Sequence, residues 1–115
     1  MANLINAGNH QLATFGQFGS AVIKDSSVAS TPPSGKVFVA ITMLTDCTFD
    51  TQSSDNGGLV AQDSTKWAST VASSTGSATN GQTITSSITF PKGVTIYGRY
   101  TEIDVASGTC IAYVG

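Results

Sequence analysis

The chain has 115 residues, of which 40% are hydrophobic and only 10% charged, and its formal net charge is −2. This size suits a single domain, whose surface must be supplied mostly by Ser, Thr, Asn and Gln because ordinary domains carry about 25% charged residues. So few Lys and Arg exclude nucleic-acid binding by phosphate neutralisation, and no window approaches the roughly 20 apolar residues of a membrane span. Residues 1–19 lack the basic start and continuous apolar stretch of a secretory signal, so we expect no export.

Residues 1–35 are predicted to form an N-terminal arm followed by a loop rich in Pro and Ser. Three-residue steps between apolar side chains at 12, 15 and 18 are compatible with a helix, but Gly16 and Gly19 would each cost it about 1 kcal/mol relative to Ala. We therefore expect an extended arm or edge strand that ends in a short strand at residues 20–24. The apolar arm residues that are candidates for an interface are Leu4, Ile5, Leu12, Phe15 and Phe18.

Residues 36–115 are predicted to form the body. Residues 36–45 are apolar at both odd and even positions, so both faces of a strand would be apolar, and they are rich in β-branched types. This pattern is typical of a central strand covered on both sides. Cys47 and Phe49 extend this pattern past a kink. Residues 59–61 predict a short strand, Trp67 and Val71 another sheet edge, and residues 73–81 an exposed loop.

The last third predicts two long strands and a terminal one. Residues 82–90 alternate apolar and polar side chains, and residues 90–93 form a tight turn with Gly in its fourth position. Residues 94–105 read as a long strand with a bulge at Gly98, joined by a loop at 106–108 to a last strand, 109–114, that pairs back. The fold class is therefore all-β, a single-domain β-sandwich or jelly-roll-like barrel with an extended N-terminal arm.

No catalytic, cofactor or metal site emerges from the motifs. His10 is the only histidine and lies among arm residues, and no Gly-x-Ser-x-Gly elbow is present. Two cysteines with one distant histidine do not make a zinc set, and the aspartates around residues 46–63 lack the spacing of a calcium loop. We expect those aspartates, Asp46, Asp50, Asp55 and Asp63, to be solvated, and the protein not to be an enzyme.

Cys47 and Cys110 admit two interpretations. A disulfide between them would restrict the unfolded chain by roughly 4 kcal/mol in the loop-entropy model. Without an export signal, however, reduced thiols packed as small hydrophobic groups are favoured.

Aromatic residues outside the arm are candidates for contacts. Trp67 lies in a polar stretch, where it either fills the core or a sheet edge or serves as an exposed interface anchor. Tyr97, Arg99 and Tyr100 either form a cation–π cluster, or Tyr97 and Arg99, which share one face, occupy the outward side of the long strand. Glu102 and Asp104 alternate with Ile103 and Val105, as solvated carboxylates on a strand face do.

Three segments carry a family resemblance. Residues 90–100, 106–113 and 1–9, together with the Thr/Ser-rich texture, resemble small virion structural proteins of tailed bacteriophages, in particular the capsid decoration (cement) proteins of marine or cyanobacterial phages. The resemblance implies a small β-domain, often a trimer, that binds the major capsid protein on the outer head surface of the virion after assembly in the host cytoplasm. It implies no cofactor.

Two alternatives remain open. One is a carbohydrate-binding or tail-fibre module in which Trp67, Tyr97 and Tyr100 stack on sugar. The other is a small structural subunit of the tail or neck.

Overall fold

The computed structural model describes residues 18–26, 28–51, 58–71 and 76–115, and the described residues contain strands but no helix. This confirms the predicted all-β class and single domain. The strands are β1 (Ser20–Lys24), β2 (Phe38–Met43), β3 (Thr48–Phe49), β4 (Leu59–Ala61), β5 (Thr95–Ile103), β6 (Val105–Ser107) and β7 (Thr109–Val114).

Five strands form one antiparallel sheet in the order β1-β7-β2-β5-β4, and β3 pairs with β6 in a second, two-stranded sheet. The predicted central strand is confirmed, since β2 lies between β7 and β5. The short strand predicted at residues 20–24 is confirmed as β1, which hydrogen-bonds to β7 and so belongs to the large sheet.

The core lies against one face of the large sheet. Ile23, Cys110 and Met43 are register partners on neighbouring strands, and all three are buried. Phe49 and Val105 of the small sheet join the same cluster, and the ring of Phe49 meets that of Phe90 edge-on at 5.3 Å. The apolar parity of the strands therefore supplies one continuous core shared by both sheets.

The bulge predicted at Gly98 is confirmed. Between Tyr97 and Tyr100, β5 has one more residue than the facing segment of β2 from Phe38 to Ala40. A Cβ at Gly98 would lie 2.7 Å from the ring of Tyr100, so this position needs glycine because the ring approaches the backbone too closely for any side chain.

Two predicted strands are wrong. Residues 82–90 form no strand, because their backbone groups bind scattered partners: Ile84 N–H donates to Ser69 O, and Ser86 N–H donates to Thr51 Oγ1. Around Trp67 the chain turns, with Trp67 N–H donating to Asp63 O, instead of forming an edge.

The predicted tight turn lies one residue later than expected. Val94 N–H donates to Pro91 O at 3.1 Å, which puts Gly93 in the third position, where its φ of 89° is required.

The long strand predicted over 94–105 breaks at Asp104. The prediction that Asp104 is a solvated carboxylate is also wrong, because the residue is buried. Asp104 N–H donates to Gly58 O, and Asp104 O accepts from Asp50 N–H, so this residue binds the neighbouring loop instead of the sheet. The chain then crosses to β3, and the expected loop at 106–108 is mostly strand β6. As a result, β7 pairs with β1 and β2 and not with the strand before it.

Candidate interaction surface

On the face of the large sheet that points away from the core, two rows of uncharged side chains lie next to the charged Lys24, the register partner of Thr109, and Arg99, two residues beyond Tyr97 on β5. Residues paired directly across neighbouring strands share a face, so the register defines each row. We call these two rows the outer face. One row is Val22, Ile111, Thr42 and Thr95, and the other is Ser20, Tyr113, Ala40 and Tyr97.

The outer face is uncharged and mixes apolar groups with hydroxyls. Val22 is 65% exposed and Tyr97 60% exposed, whereas Ile111 and Tyr113 between them are half-buried. Thr42 and Thr95 share a hydrogen bond of 2.8 Å between their hydroxyl oxygens. Four strands spaced about 4.8 Å apart give a surface roughly 15 Å wide. Such a surface can bind a partner through apolar contact and hydrogen bonds without fixed charge.

Beyond Tyr97, side chains of β5 continue to alternate between the outside and the core as far as Tyr100. Arg99 is exposed, and its Nε donates to Gln62 Oε1 at 2.8 Å. Tyr100 is buried in the core, where desolvation raises the pKa of its phenol. The alternative in which Tyr97 and Arg99 occupy the outward side of the strand is therefore confirmed, and the cluster that includes Tyr100 is wrong. Tyr100 is also unavailable as a sugar-stacking residue.

The interface candidates of the arm are only partly described. Phe18 is 57% exposed beside β1, its N–H donates to Val114 O, and Lys36 Nζ lies 3.8 Å from its ring centroid. This contact is a cation–π interaction. Leu4, Ile5, Leu12, Phe15 and the histidine His10 lie outside the described residues.

Trp67 is half-buried and packs against the core cluster. The structure thus favours core filling over an exposed anchor for this residue, and Trp67, Tyr97 and Tyr100 do not share one exposed face.

A pair of carboxyl groups at the junction of β5 and β6 was missed from the sequence. Asp104 is 7% exposed, its side chain hydrogen-bonds to Asp50, and its Oδ1 has no partner. Burial, then the hydrogen bond and the negative charge of Asp50, and last the charge of Glu102 together raise the pKa of Asp104 to about 6. The sequence did not predict this pair, because polar and apolar residues alternate around Asp104 as they do in an uninterrupted strand.

The remaining loop carboxylates that the structure describes serve turns. Asp46 Oδ1 accepts from Lys92 N–H at 2.9 Å, and Asp63 Oδ1 accepts from both the N–H and the hydroxyl of Thr65. The Thr65 hydrogen bonds lower the pKa of Asp63. Within the described ranges, no three His, Cys, Asp or Glu residues are placed to hold a metal ion.

Both thiols are free and buried, as expected for reduced cysteines. Cys47 Sγ donates to Thr109 O at 3.2 Å, and burial raises its pKa. Burial, and then the nearby Cys47, raise the pKa of Cys110 to about 12, so at neutral pH it remains a thiol and a poor nucleophile.

The fold and this surface define a small all-β domain whose sheet carries two adjacent uncharged rows of side chains on its outer face. No protein-family model, curated protein or solved structure matches the chain. In the part of the chain that the structure describes, no helix is long and apolar enough to cross a membrane.

Proposed function

We propose that this protein is a non-enzymatic capsid decoration (cement) protein of a tailed bacteriophage, which binds the major capsid protein on the outer surface of the head. The observation that carries the proposal is the uncharged outer face, on which exposed Val22 and Tyr97 flank half-buried Ile111 and Tyr113. The resemblance of residues 90–100 and 106–113 to such proteins supplies the identity of the partner.

A neutral surface suits a protein that must stay attached in varied salt. Contacts between exposed charges weaken as ionic strength rises, because the Debye length falls from about 10 Å at 0.1 M to about 3 Å at 1 M. Apolar contact and hydrogen bonds to hydroxyls such as Thr42 and Thr95 lack this dependence. The outer face can therefore hold capsid subunits together over a wide salt range.

The rest of the proposed interface is the arm. Leu4, Ile5, Leu12 and Phe15 would add apolar area, or a strand, to a neighbouring subunit. Phe18, exposed beside β1, would be where the arm leaves the sheet. Trp67 was also an interface candidate, but its packing against the core gives it a smaller part.

The test is binding of the purified protein to heads assembled without it, at low and at high salt. Tyr97→Lys, on the outer face, should lower occupancy at least tenfold. Val28→Lys is the matched control, since Val28 is equally exposed (71%) but lies outside the sheet. Equal occupancy for both variants would remove the outer face from the proposal, and failure of the unmodified protein to bind any head would remove the function.

Copy number in the virion separates the head from the tail. A decoration protein is present in hundreds of copies per particle, whereas a tail or neck subunit is present in a few. Quantitative mass spectrometry of purified particles measures this directly.

A further inference from the structure

The two edges of the large sheet differ in what occupies their outward backbone groups. At β4, Leu59 N–H donates to Thr70 Oγ1 at 2.8 Å, and Leu59 O accepts from Thr70 N–H at 2.9 Å. Thr70 is itself buried. This edge is only three residues long, and the outward groups of its first residue are already bonded, so little of it is left to receive another strand.

At β1, the hydrogen bonds at both ends show which residues face β7. Gly19 O accepts from Val114 N–H at 2.8 Å, and Asp25 N–H donates to Gly108 O at 3.2 Å. Hydrogen-bonded residues alternate along an antiparallel pair, so Ser20, Val22 and Lys24 direct their N–H and C=O groups away from β7. No strand among the described residues pairs with that side of β1.

We propose that the free edge of β1 docks against β1 of a second copy of this chain, antiparallel and centred on Val22, so that one continuous sheet runs through both copies. About six backbone hydrogen bonds form in this arrangement, from Ser20, Val22 and Lys24 and their partner equivalents. An unpaired edge is a template for such pairing.

The charges and apolar groups of β1 suit pairing with itself. Centring on Val22 puts Ser20 opposite the partner's Lys24, so the two ammonium groups lie at opposite ends of the contact. The exposed Val22 side chains then meet at the axis, next to Ile111, its register partner on β7. Shifting the register so that Lys24 opposes the partner's Lys24 would place like charges together, which is unfavourable.

The difference between the edges also determines the symmetry. Joining β1 of one copy to β4 of the next could build a ring or an open chain, but Thr70 blocks the first residue of β4. The contact is therefore twofold and is not the trimer that the family resemblance implies. It does not depend on the capsid function, since a dimer that bound no head would leave this inference intact.

The experiment places charges at position 20 of the full chain and measures dimerisation by sedimentation velocity from micromolar to millimolar concentration. Ser20→Glu should tighten the dimer and Ser20→Lys weaken it, each by about two- to thirtyfold, because the charge is introduced twice opposite Lys24. Combining Ser20→Lys with Lys24→Glu should restore association. Ala106→Glu and Ala106→Lys, at an exposed residue of β6, are the matched controls.

Hydrogen exchange identifies the occupant of the edge. If β1 pairs with β1, the amides of Ser20, Val22 and Lys24 become protected as the protein concentration rises. Protection of these amides in a monomer would mean that residues 1–17 of the same chain cover the edge. A chain that remains monomeric at every concentration, or position-20 variants that behave like the controls, would equally overturn the proposal.

Discussion

Replacing Asp104 by Asn should stabilise the protein at neutral pH and have little effect near pH 4. Asp104 is buried beside Asp50, and its pKa rises from 3.8 to about 6 in the folded protein. Between these values the folded state binds more protons than the unfolded chain, so the free energy of unfolding falls as the pH increases. The stabilisation of the folded state by protonated Asp104 is thus fully present below pH 4 and is lost as the pH rises through 6.

The size of the effect follows from the shift in pKa. A change from 3.8 to about 6 corresponds to about 3 kcal/mol, at about 1.36 kcal/mol per unit. Asn has the same shape, carries no charge, and can donate its amide N–H to Asp50 as the protonated acid does. At pH 7.5, the free energy of unfolding of Asp104→Asn should therefore exceed that of the unmodified protein by up to about 3 kcal/mol. This corresponds to a Tm about 10 °C higher.

Urea denaturation of both proteins from pH 4 to pH 8 measures the difference directly. Subtracting one curve from the other removes the titration of carboxylates common to both. Asp25→Asn, at an exposed residue just after β1, controls for the loss of a negative charge. A difference that does not change with pH, or an unmodified protein that gains stability between pH 4 and pH 6 relative to Asp104→Asn, would refute the reasoning.

Three further changes test the packing. Gly98→Ala should destabilise the fold by about 1–3 kcal/mol in urea denaturation, since its Cβ would lie 2.7 Å from the Tyr100 ring; an unchanged midpoint would mean that the ring moves freely. Thr70→Val should cost about 1–3 kcal/mol because it leaves Leu59 N–H without its acceptor, whereas Thr70→Ser should cost less. Cys110 should react with a thiol reagent at neutral pH only after the protein unfolds, and rapid labelling of the native protein would contradict its burial.

Strands whose signal is local could be predicted from the sequence. β2 lies at the centre of the sheet and most of its side chains are buried, although Ala40 and Thr42 lie on the outer face, so the expectation that both of its faces are covered is wrong. β7 alternates because only one of its faces meets the core. Gly98 marked the bulge for a local reason as well, since a glycine inside a strand pattern indicates a backbone that something approaches closely.

Features that depend on distant contacts could not be predicted. Residues 82–90 alternate as a strand does, yet the partners of Ile84 and Ser86 are a carbonyl and a hydroxyl from two different loops. Asp104 is buried because the chain passes from the large sheet to the small one at that residue. Its backbone hydrogen bonds to Asp50 and Gly58 hold it in this position. The outer face likewise emerges only from the strand order, which brings Val22 next to Ile111 across β1 and β7.

The hydrogen bonds from Thr70 to Leu59 have a consequence for how far the sheet can grow. A sheet with two open edges can add copies without limit, which is the route to fibrils. Here buried Thr70 occupies the outward backbone groups of Leu59 at the β4 edge. Pairing of two copies through their β1 edges would therefore stop at a dimer. A chain with one open sheet edge and one closed edge can therefore pair with a second copy without polymerising.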